Sequence, residues 1–328
     1  MKRCAAVRKT LLGALLLIAA NVYGGEGGAA GFDWLKVVIF AEYQTDYSGV
    51  FVYQYDTHVE TSRITHVTDG EGEYERLESL DGPKREIVRH HGQVWNHLNH
   101  EMVPVDSHPG RGKFPSLLPE QLSALSANYQ TKLLGVERVA GYDAQVILFQ
   151  PKDNLRYTHK IWVHTDSGLL LKAAALDGKN QMVEQYAFTQ LQIGGKIDRS
   201  GFKHGAVAGF RDPGFHEKHK AGRKSFPVSS GWTVGALPSG FRKTMEIQRQ
   251  MHENHAPVTQ IVFSDGLSAI SVFIEEDDGD EDDFEGLSSR GVVNLYHKVV
   301  GRHLFTVVGE VPPHTVMRTL DSIRHNGK

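Results

Sequence analysis

The chain has 328 residues, of which 36 are Lys or Arg and 39 are Asp or Glu, and it contains one cysteine. The absence of a basic excess argues against nucleic acid as a partner, and one cysteine excludes a disulfide framework. The length allows one or two domains, each with a core of its own.

Residues 1–24 have the features of a secretory signal peptide. A basic start precedes an apolar run over residues 11–20, which is too short to span a bilayer. We expect cleavage after Gly24. Cys4 precedes the apolar run, where a lipoprotein signal would place its cysteine after it, so no lipid anchor is expected. Cleavage leaves 32 basic against 39 acidic residues, a net charge near −7. A bacterial periplasm suits such a protein.

The next region predicts one sheet-rich domain over residues 32–200. An apolar stripe at helical spacing predicts a helix over residues 32–43, and Pro119 in a first turn predicts a second over residues 119–129. Short runs rich in β-branched and aromatic residues, separated by turn signals, predict strands. These runs lie at residues 50–55, 63–67, 75–80, 85–89, 93–98, 132–139, 144–150, 157–164, 169–176 and 182–193.

The last five of these strands predict an antiparallel meander. Turn signals at nearly even spacing separate them, at residues 141–143, 151–154, 165–168 and 177–180. No helix-length pattern interrupts the strands, which argues against parallel βαβ units. A long meander must cover one face, either with a second sheet, with helices, or by curling around a ligand. The last alternative makes the chain a candidate binder of apolar ligands.

Residues 201–226 are rich in Gly, Lys, Arg and His without any periodicity, and this composition predicts a linker. Residues 227–328 predict a smaller α+β domain. Its strands are expected at residues 233–237, 259–263, 269–275, 294–300 and 303–310, followed by a helix that starts at Pro312. The fold class is therefore α+β, with a large antiparallel domain and a smaller second domain.

No catalytic motif is complete in the chain. The G-x-S-x-G pattern of hydrolases fails at Arg290, where the last glycine is missing. Gly70 and Gly72 lack the third glycine of the dinucleotide-binding motif, and no P-loop occurs. Histidines cluster near His90 without a metal-ligand spacing. The acidic run at residues 275–285 does not match a calcium loop and is read as a solvated loop. The sequence predicts no enzyme, no metal and no cofactor.

The apolar strand faces provide the candidate ligand contacts. Several strands are apolar on both faces. The pattern alone favours ordinary core packing over a cavity for an acyl chain, which is the functional alternative. A one-residue slip in strand phase would invert the set. The predicted lipid-binding residues are Phe51, Tyr53, Leu77, Ile147, Phe149, Ile161 and Val163.

Several blocks of sequence resemble the MucB/RseB family. The most specific are residues 294–303, NLYHKVVGRH, and 306–316, TVVGEVPPHTV. Further blocks follow the family order at residues 80–86, 161–168, 237–241 and 264–267, so that the resemblance covers nearly the whole mature chain. The acidic run at residues 275–285 shows the least likeness.

The resemblance implies a periplasmic negative regulator. Such proteins bind the periplasmic part of a membrane anti-sigma factor and protect it from the site-1 protease. The large domain would then be an open half-barrel of the LolA/LppX kind that senses acyl chains of mislocalised lipoprotein or lipopolysaccharide. A periplasmic lipoprotein or lipid carrier without a sigma-pathway partner is the alternative, and an unrecognised hydrolase is a third class.

Partner capture is expected to need the small domain, which carries the most specific blocks. The candidate exposed contacts are Tyr296, Arg302 and His303, because Tyr and Arg often anchor interfaces. Lys84 and Arg85, beside a Gly-Pro turn of the large domain, are expected to add a cationic contact. For Tyr296, Arg302 and His303 a purely structural role is an alternative of at least equal weight. Self-association into a homo-oligomer is left open.

Overall fold

The computed structural model describes residues 27–69, 72–90, 93–98, 101–105, 122–198, 225–250, 256–277 and 285–326. The predicted signal peptide and nearly all of the predicted linker therefore lie outside the described residues. Within the described residues, no helix combines the length and apolar character needed to cross a membrane.

The first domain is built on one large antiparallel sheet. Its eleven strands follow the order β6-β5-β4-β3-β2-β1-β11-β10-β9-β8-β7, so that only the contact of β1 with β11 joins strands distant in sequence. The strands are β1 (Tyr47–Tyr55), β2 (His58–Asp69), β3 (Gly72–Ser79), β4 (Arg85–His90), β5 (Gln93–Leu98), β6 (Glu101–Val105), β7 (Tyr129–Val139), β8 (Tyr142–Pro151), β9 (Thr158–His164), β10 (Leu170–Leu176) and β11 (Met182–Ile193).

Two helices cover part of one face of this sheet. Helix α1 (Gly27–Gln44) contains the predicted helix at residues 32–43, and α2 (Leu122–Asn128) falls within the predicted helix at residues 119–129. The apolar stripe of α1 explains its position, because Leu35, Val38 and Ile39 are all buried against the sheet.

The turn between β9 and β10 brings the chain close to α1. Gly168 adopts a φ of +75°, and a Cβ atom there would collide with the side chain of Val37. Only glycine combines this backbone conformation with so little space. The turn signal read at residues 165–168 thus also sets the packing distance between α1 and the sheet.

The second domain contains a seven-stranded antiparallel sheet in the order β12-β14-β15-β16-β19-β18-β17 and a two-stranded sheet of β13 and β20. Helix α3 (Pro313–Asp321) packs its buried Val316 and Leu320 against the larger sheet. The strands are β12 (Ser225–Pro227), β13 (Trp232–Val234), β14 (Arg242–Arg249), β15 (Val258–Ser264), β16 (Ala269–Glu276), β17 (Gly286–Arg290), β18 (Val293–Val300), β19 (His303–Gly309) and β20 (Ile323–His325).

The predicted fold class is confirmed. The first sheet is antiparallel and unclosed among the described strands, helices cover one of its faces, and a smaller sheet domain with one helix follows. The exact domain boundaries stay a prediction. Ser225 and Phe226, which the sequence analysis assigned to the linker, pair with β14 of the second domain.

Candidate functional site

A cavity of about 840 Å³ lies between the first sheet and the second domain. Its size is in the range typical of small-molecule sites. Strands β1, β2, β3, β10 and β11 form its floor, and α1 borders one side. The turns and strands of the second domain form its roof, through Leu267, Ala269, Ser271, Val292, Val293, Val308, Gly309 and Glu310.

Strand register explains why the floor is apolar. Side chains alternate between the two faces of a strand, and residues paired across neighbouring strands share a face. Phe51 pairs with Phe188 and Ile64 pairs with Leu77, so that all four point to the same side. The ring of Phe51 contacts those of Phe188 and Tyr186 edge to face, with centroids 5.9 and 6.2 Å apart.

Several polar groups of the cavity wall are paired within the wall or uncharged. Arg89 donates to the buried carboxylate of Glu75 at 2.7 Å. Burial lowers the pKa of His159 to about 4, so its ring is neutral near pH 7. Burial also raises the pKa of Tyr186 well above its usual range, and its hydroxyl stays protonated. A wall of this kind favours hydrocarbon over a highly charged ligand.

The predicted ligand contacts divide into two groups. Phe51, Tyr53 and Leu77 line the cavity. Ile147, Phe149, Ile161 and Val163 lie on the same face of the sheet, but all four are 0% exposed beneath helices α1 and α2. Their assignment as cavity-lining residues is corrected, because the two helices fill that part of the concave face and turn it into core.

Most of the cavity lining was not predicted from the sequence. Ala173, Tyr186 and Phe188 belong to the floor, and the whole roof comes from the second domain. One signal was present in the sequence: Ala173, Ala174 and Ala175 form a run of small residues in β10, between strands with bulky side chains. Small side chains on an otherwise bulky face leave space for a ligand. Nothing in the sequence indicated the roof.

The two domains are held together at one end by a buried ion pair. Arg156, in the loop between β8 and β9, donates to Asp265 of the second domain at 2.5 Å, and both side chains are buried. Tyr129 also donates to Asp265, at 3.1 Å, and Arg156 donates to the backbone carbonyl of Ser239. Burial alone would lower the pKa of Arg156, but its bonds to Asp153 and Asp265 outweigh this and raise it.

A second tie lies at the opposite side of the cavity, where the turn between β17 and β18 contacts the large sheet. The carboxylate of Glu184 accepts a hydrogen bond from Tyr53 at 2.7 Å and one from the backbone N–H of Val292 at 3.0 Å. Arg290 pairs with Glu60 at 2.8 Å, and its guanidinium lies over the ring of Tyr55. Further hydrogen bonds join the domains: Asn294 donates to Tyr157, and His314 and Thr315 at the start of α3 contact the backbone of the loop between β8 and β9. The cavity thus lies beside several interdomain contacts.

The candidate partner contacts have different environments. Lys84, Arg85 and Arg302 are exposed. Tyr296 is only 4% exposed, because it lies on the inward face of β18, and its hydroxyl donates to Glu285. The expectation that Tyr296 is an exposed contact is therefore wrong. His303 is half-buried, with its ring 5.1 Å from that of Trp232.

No metal site is found in the described part of the chain, where no three His, Cys, Asp or Glu side chains are arranged to hold an ion. The histidine cluster near His90 and the central residues of the acidic run at 275–285 lie largely outside the described side chains. The geometry at hand is that of a binding site, since the cavity combines apolar walls with polar groups engaged in fixed pairs.

Comparison with known proteins gives a consistent match along the chain. Residues 31–206 match the model of the MucB/RseB N-terminal domain, and residues 227–324 match that of the MucB/RseB C-terminal domain. The sigma factor AlgU regulatory protein MucB of Pseudomonas aeruginosa is 32% identical over 322 residues, covering 96% of this chain and 95% of MucB.

Solved structures agree with this match. The Pseudomonas aeruginosa MucA/MucB complex contains a chain that is 30% identical, with a TM-score of 0.73, covering 91% of this chain and 100% of that one. A crystal structure of MucB in complex with MucA(peri) gives a TM-score of 0.70 at 30% identity, covering 90% of this chain and 99% of that one.

Proposed function

This chain belongs to the MucB/RseB family, and we propose that it is a periplasmic negative regulator of an envelope-stress sigma factor. It binds the periplasmic part of a membrane anti-sigma factor and protects that segment from site-1 proteolysis. Acyl chains of mislocalised lipoprotein or lipopolysaccharide enter the cavity and favour release of the partner.

The proposed binding of an anti-sigma factor is supported by the similarity to MucB over nearly the full length of both chains. MucB has been crystallised with MucA(peri), and the present chain aligns with 99% of that MucB chain. The cavity carries the ligand side, because apolar side chains from two domains enclose a volume of about 840 Å³. The relatives are regulatory proteins by name, in keeping with a chain that acts by binding and not by catalysis.

Ligand and partner can be coupled only through a difference in binding. A ligand shifts release by as much as its affinity differs between the free and the complexed protein. Because the cavity is shared by both domains, a ligand inside it is in direct contact with the domain that we propose captures the partner. Lys84, Arg85 and Arg302 are exposed and remain proposed contacts for that partner.

A pull-down tests the proposal. The exported protein is expected to capture a peptide that corresponds to the periplasmic segment of a single-span anti-sigma factor from the same organism. A lipopeptide added in excess is expected to reduce the captured amount. If the captured amount stays the same when lipopeptide is added, the proposed sensing of acyl chains is contradicted. A protein that binds lipopeptide but no anti-sigma segment would instead be a lipid or lipoprotein carrier.

Export is a separate expectation of the same proposal. The intact mass of the protein purified from the periplasm is expected to correspond to a chain that begins near Gly25, without an added lipid. The reason is the basic start, the short apolar run and the position of Cys4 before that run. A mass that includes the first 20 residues, or one raised by an acyl group, would contradict it.

A further inference from the structure

We infer that Glu184 is the latch that closes the second domain over the cavity, and that ligands with more acyl chain than the closed cavity holds break this latch. The inference rests on the proposed function, since it assumes that the cavity takes acyl chains. It specifies which ligands signal, and through which contact they act.

Glu184 belongs at once to the cavity wall and to the interdomain contact. Glu184 lines the cavity, and its carboxylate accepts a hydrogen bond at 2.7 Å from Tyr53, which also lines the cavity. The same oxygen, Oε2, accepts the backbone N–H of Val292, which is part of the roof, at 3.0 Å. A ligand that displaces Tyr53 or Glu184 therefore also disturbs the bond that holds the roof.

The turn that Glu184 holds is fitted closely against the large sheet. Gly291 adopts a φ of +57°, and a Cβ atom there would collide with the Glu184 carboxylate and lie 3.1 Å from the Tyr53 hydroxyl. A side chain at this position would push the turn away from the sheet. Glycine is thus required both by the backbone conformation and by the approach of the two domains.

The volume of the closed cavity sets a limit on the ligand. If each methylene takes about the 30 Å³ of a water molecule in the liquid, 840 Å³ holds on the order of 28 carbon atoms. One long acyl chain fits within this volume, whereas three long chains exceed it. All three chains of a triacylated anchor can be buried in the cavity only if the roof moves, and the contact nearest the floor aromatics is the one at Glu184.

The direction of the coupling follows from these contacts. A single-chain ligand binds the closed form and leaves the domain arrangement unchanged. A triacylated ligand binds the open form better than the closed one, and it therefore shifts the population to the open form by that difference in affinity. The number of chains, and not the headgroup, then decides whether the two domains separate.

Distance measurements between the domains test the latch. Spin labels are attached to cysteines that replace the exposed Thr57 and Ser288 in the mature chain, which has no other thiol once the predicted signal peptide with Cys4 is removed. The probes are three synthetic lipopeptides with the same peptide and one, two or three palmitoyl chains. The tripalmitoylated peptide is expected to lengthen the distance between the labels, and the monopalmitoylated peptide is expected to bind without doing so. Binding of the tripalmitoylated peptide at an unchanged distance would overturn the inference.

The variant Glu184→Ala tests the latch in the absence of any lipid. This variant is expected to show the longer distance without any ligand, and to bind the tripalmitoylated peptide about tenfold more tightly. The reason is that the bond from the Val292 N–H, which is the Glu184 bond that crosses between the domains, no longer opposes opening. The matched control is Glu60→Ala, which breaks only the exposed ion pair of the same turn and is expected to change neither quantity.

The two failures are distinguishable. If the labels stay at the closed distance in ligand-free Glu184→Ala, Glu184 is not the latch, whatever the protein binds. If Glu184→Ala opens the domains but none of the three peptides binds to any variant, the ligand part of the proposed function fails, and with it the claim that acyl chains open the roof.

Discussion

Asp265→Ala is expected to lower the free energy of unfolding by about 2–4 kcal/mol, because the buried Arg156 and Tyr129 lose the carboxylate to which they donate, while Asp153 still pairs with Arg156. Arg156 has a side-chain exposure of 0% and Asp265 one of 1%. Asp265 also accepts backbone hydrogen bonds from Leu267 and Ser268 in its own turn. The variant therefore loses the interdomain tie and the support of the turn together.

Chemical denaturation followed by tryptophan fluorescence and by circular dichroism measures this effect. The control is Lys36→Ala, which removes an ion pair with Asp33 whose partners are 55% and 68% exposed and which is expected to cost at most about 0.5 kcal/mol. An Asp265→Ala variant as stable as the Lys36→Ala control would show that the two domains do not depend on this ion pair.

A double variant distinguishes the energy of the pair from the cost of breaking it. Arg156→Met combined with Asp265→Leu removes both charges, and such replacements by apolar side chains are often neutral or stabilising. We expect the double variant to recover the part of the loss that comes from the buried charge, but not the part that comes from the backbone hydrogen bonds that Leu267 and Ser268 donate to Asp265. Recovery would indicate that the pair fixes the orientation of the domains more than it stabilises the fold.

The strands of the first domain were predictable because their period and turn residues are local. The turn signals at residues 165–168 and 177–180 correspond to the connections on either side of β10. The first and last residues of helices and strands were less predictable. Helix α1 begins at Gly27, five residues before the predicted helix, because the glycines and alanines there give no amphipathic signal.

The site was only partly predictable, since its assembly depends on contacts between distant segments. The alternation of side chains along each strand placed Phe51, Phe149 and Ile161 on one face of the sheet. It did not show which part of that face the helices cover. That choice depends on where α1 docks. Likewise, tyrosine is a residue type common at interfaces, but the alternation of side chains along β18 points Tyr296 toward the core.

The roof of the cavity has consequences for the division of labour between the domains. The sequence favoured a lipid site in the large domain alone and a partner site in the small one. With Leu267 in the core cluster of the large domain and Val292 and Val308 over the cavity, the small domain contributes to both tasks. Loss of the small domain would therefore expose apolar surface of the large one and weaken lipid binding as well as partner capture.

Leu77→Glu is expected to reduce the affinity for a palmitoylated peptide at least tenfold. Leu77 lies on the cavity floor, opposite Ile64 in the neighbouring strand. Contact with a leucine side chain is worth about 1.5–3 kcal/mol when it is fully buried, and each 1.4 kcal/mol corresponds to a factor of ten in the dissociation constant. The new carboxylate would in addition lose part of its hydration when a chain enters. Titration calorimetry with the monopalmitoylated peptide measures the change.

Leu80→Glu is the matched control for this substitution. Leu80 lies three residues further along the chain, directly after β3, and is 43% exposed, so the same chemical change there should leave lipid affinity and stability nearly unaffected. Circular dichroism of both variants establishes that Leu77→Glu is folded, as expected for a position that borders a cavity and is not fully buried. Equal affinities of the two folded variants would place the acyl chain elsewhere on the protein. A loss confined to Leu77→Glu would place it against the floor that Phe51, Ile64 and Leu77 share, beside the contact between Tyr53 and Glu184.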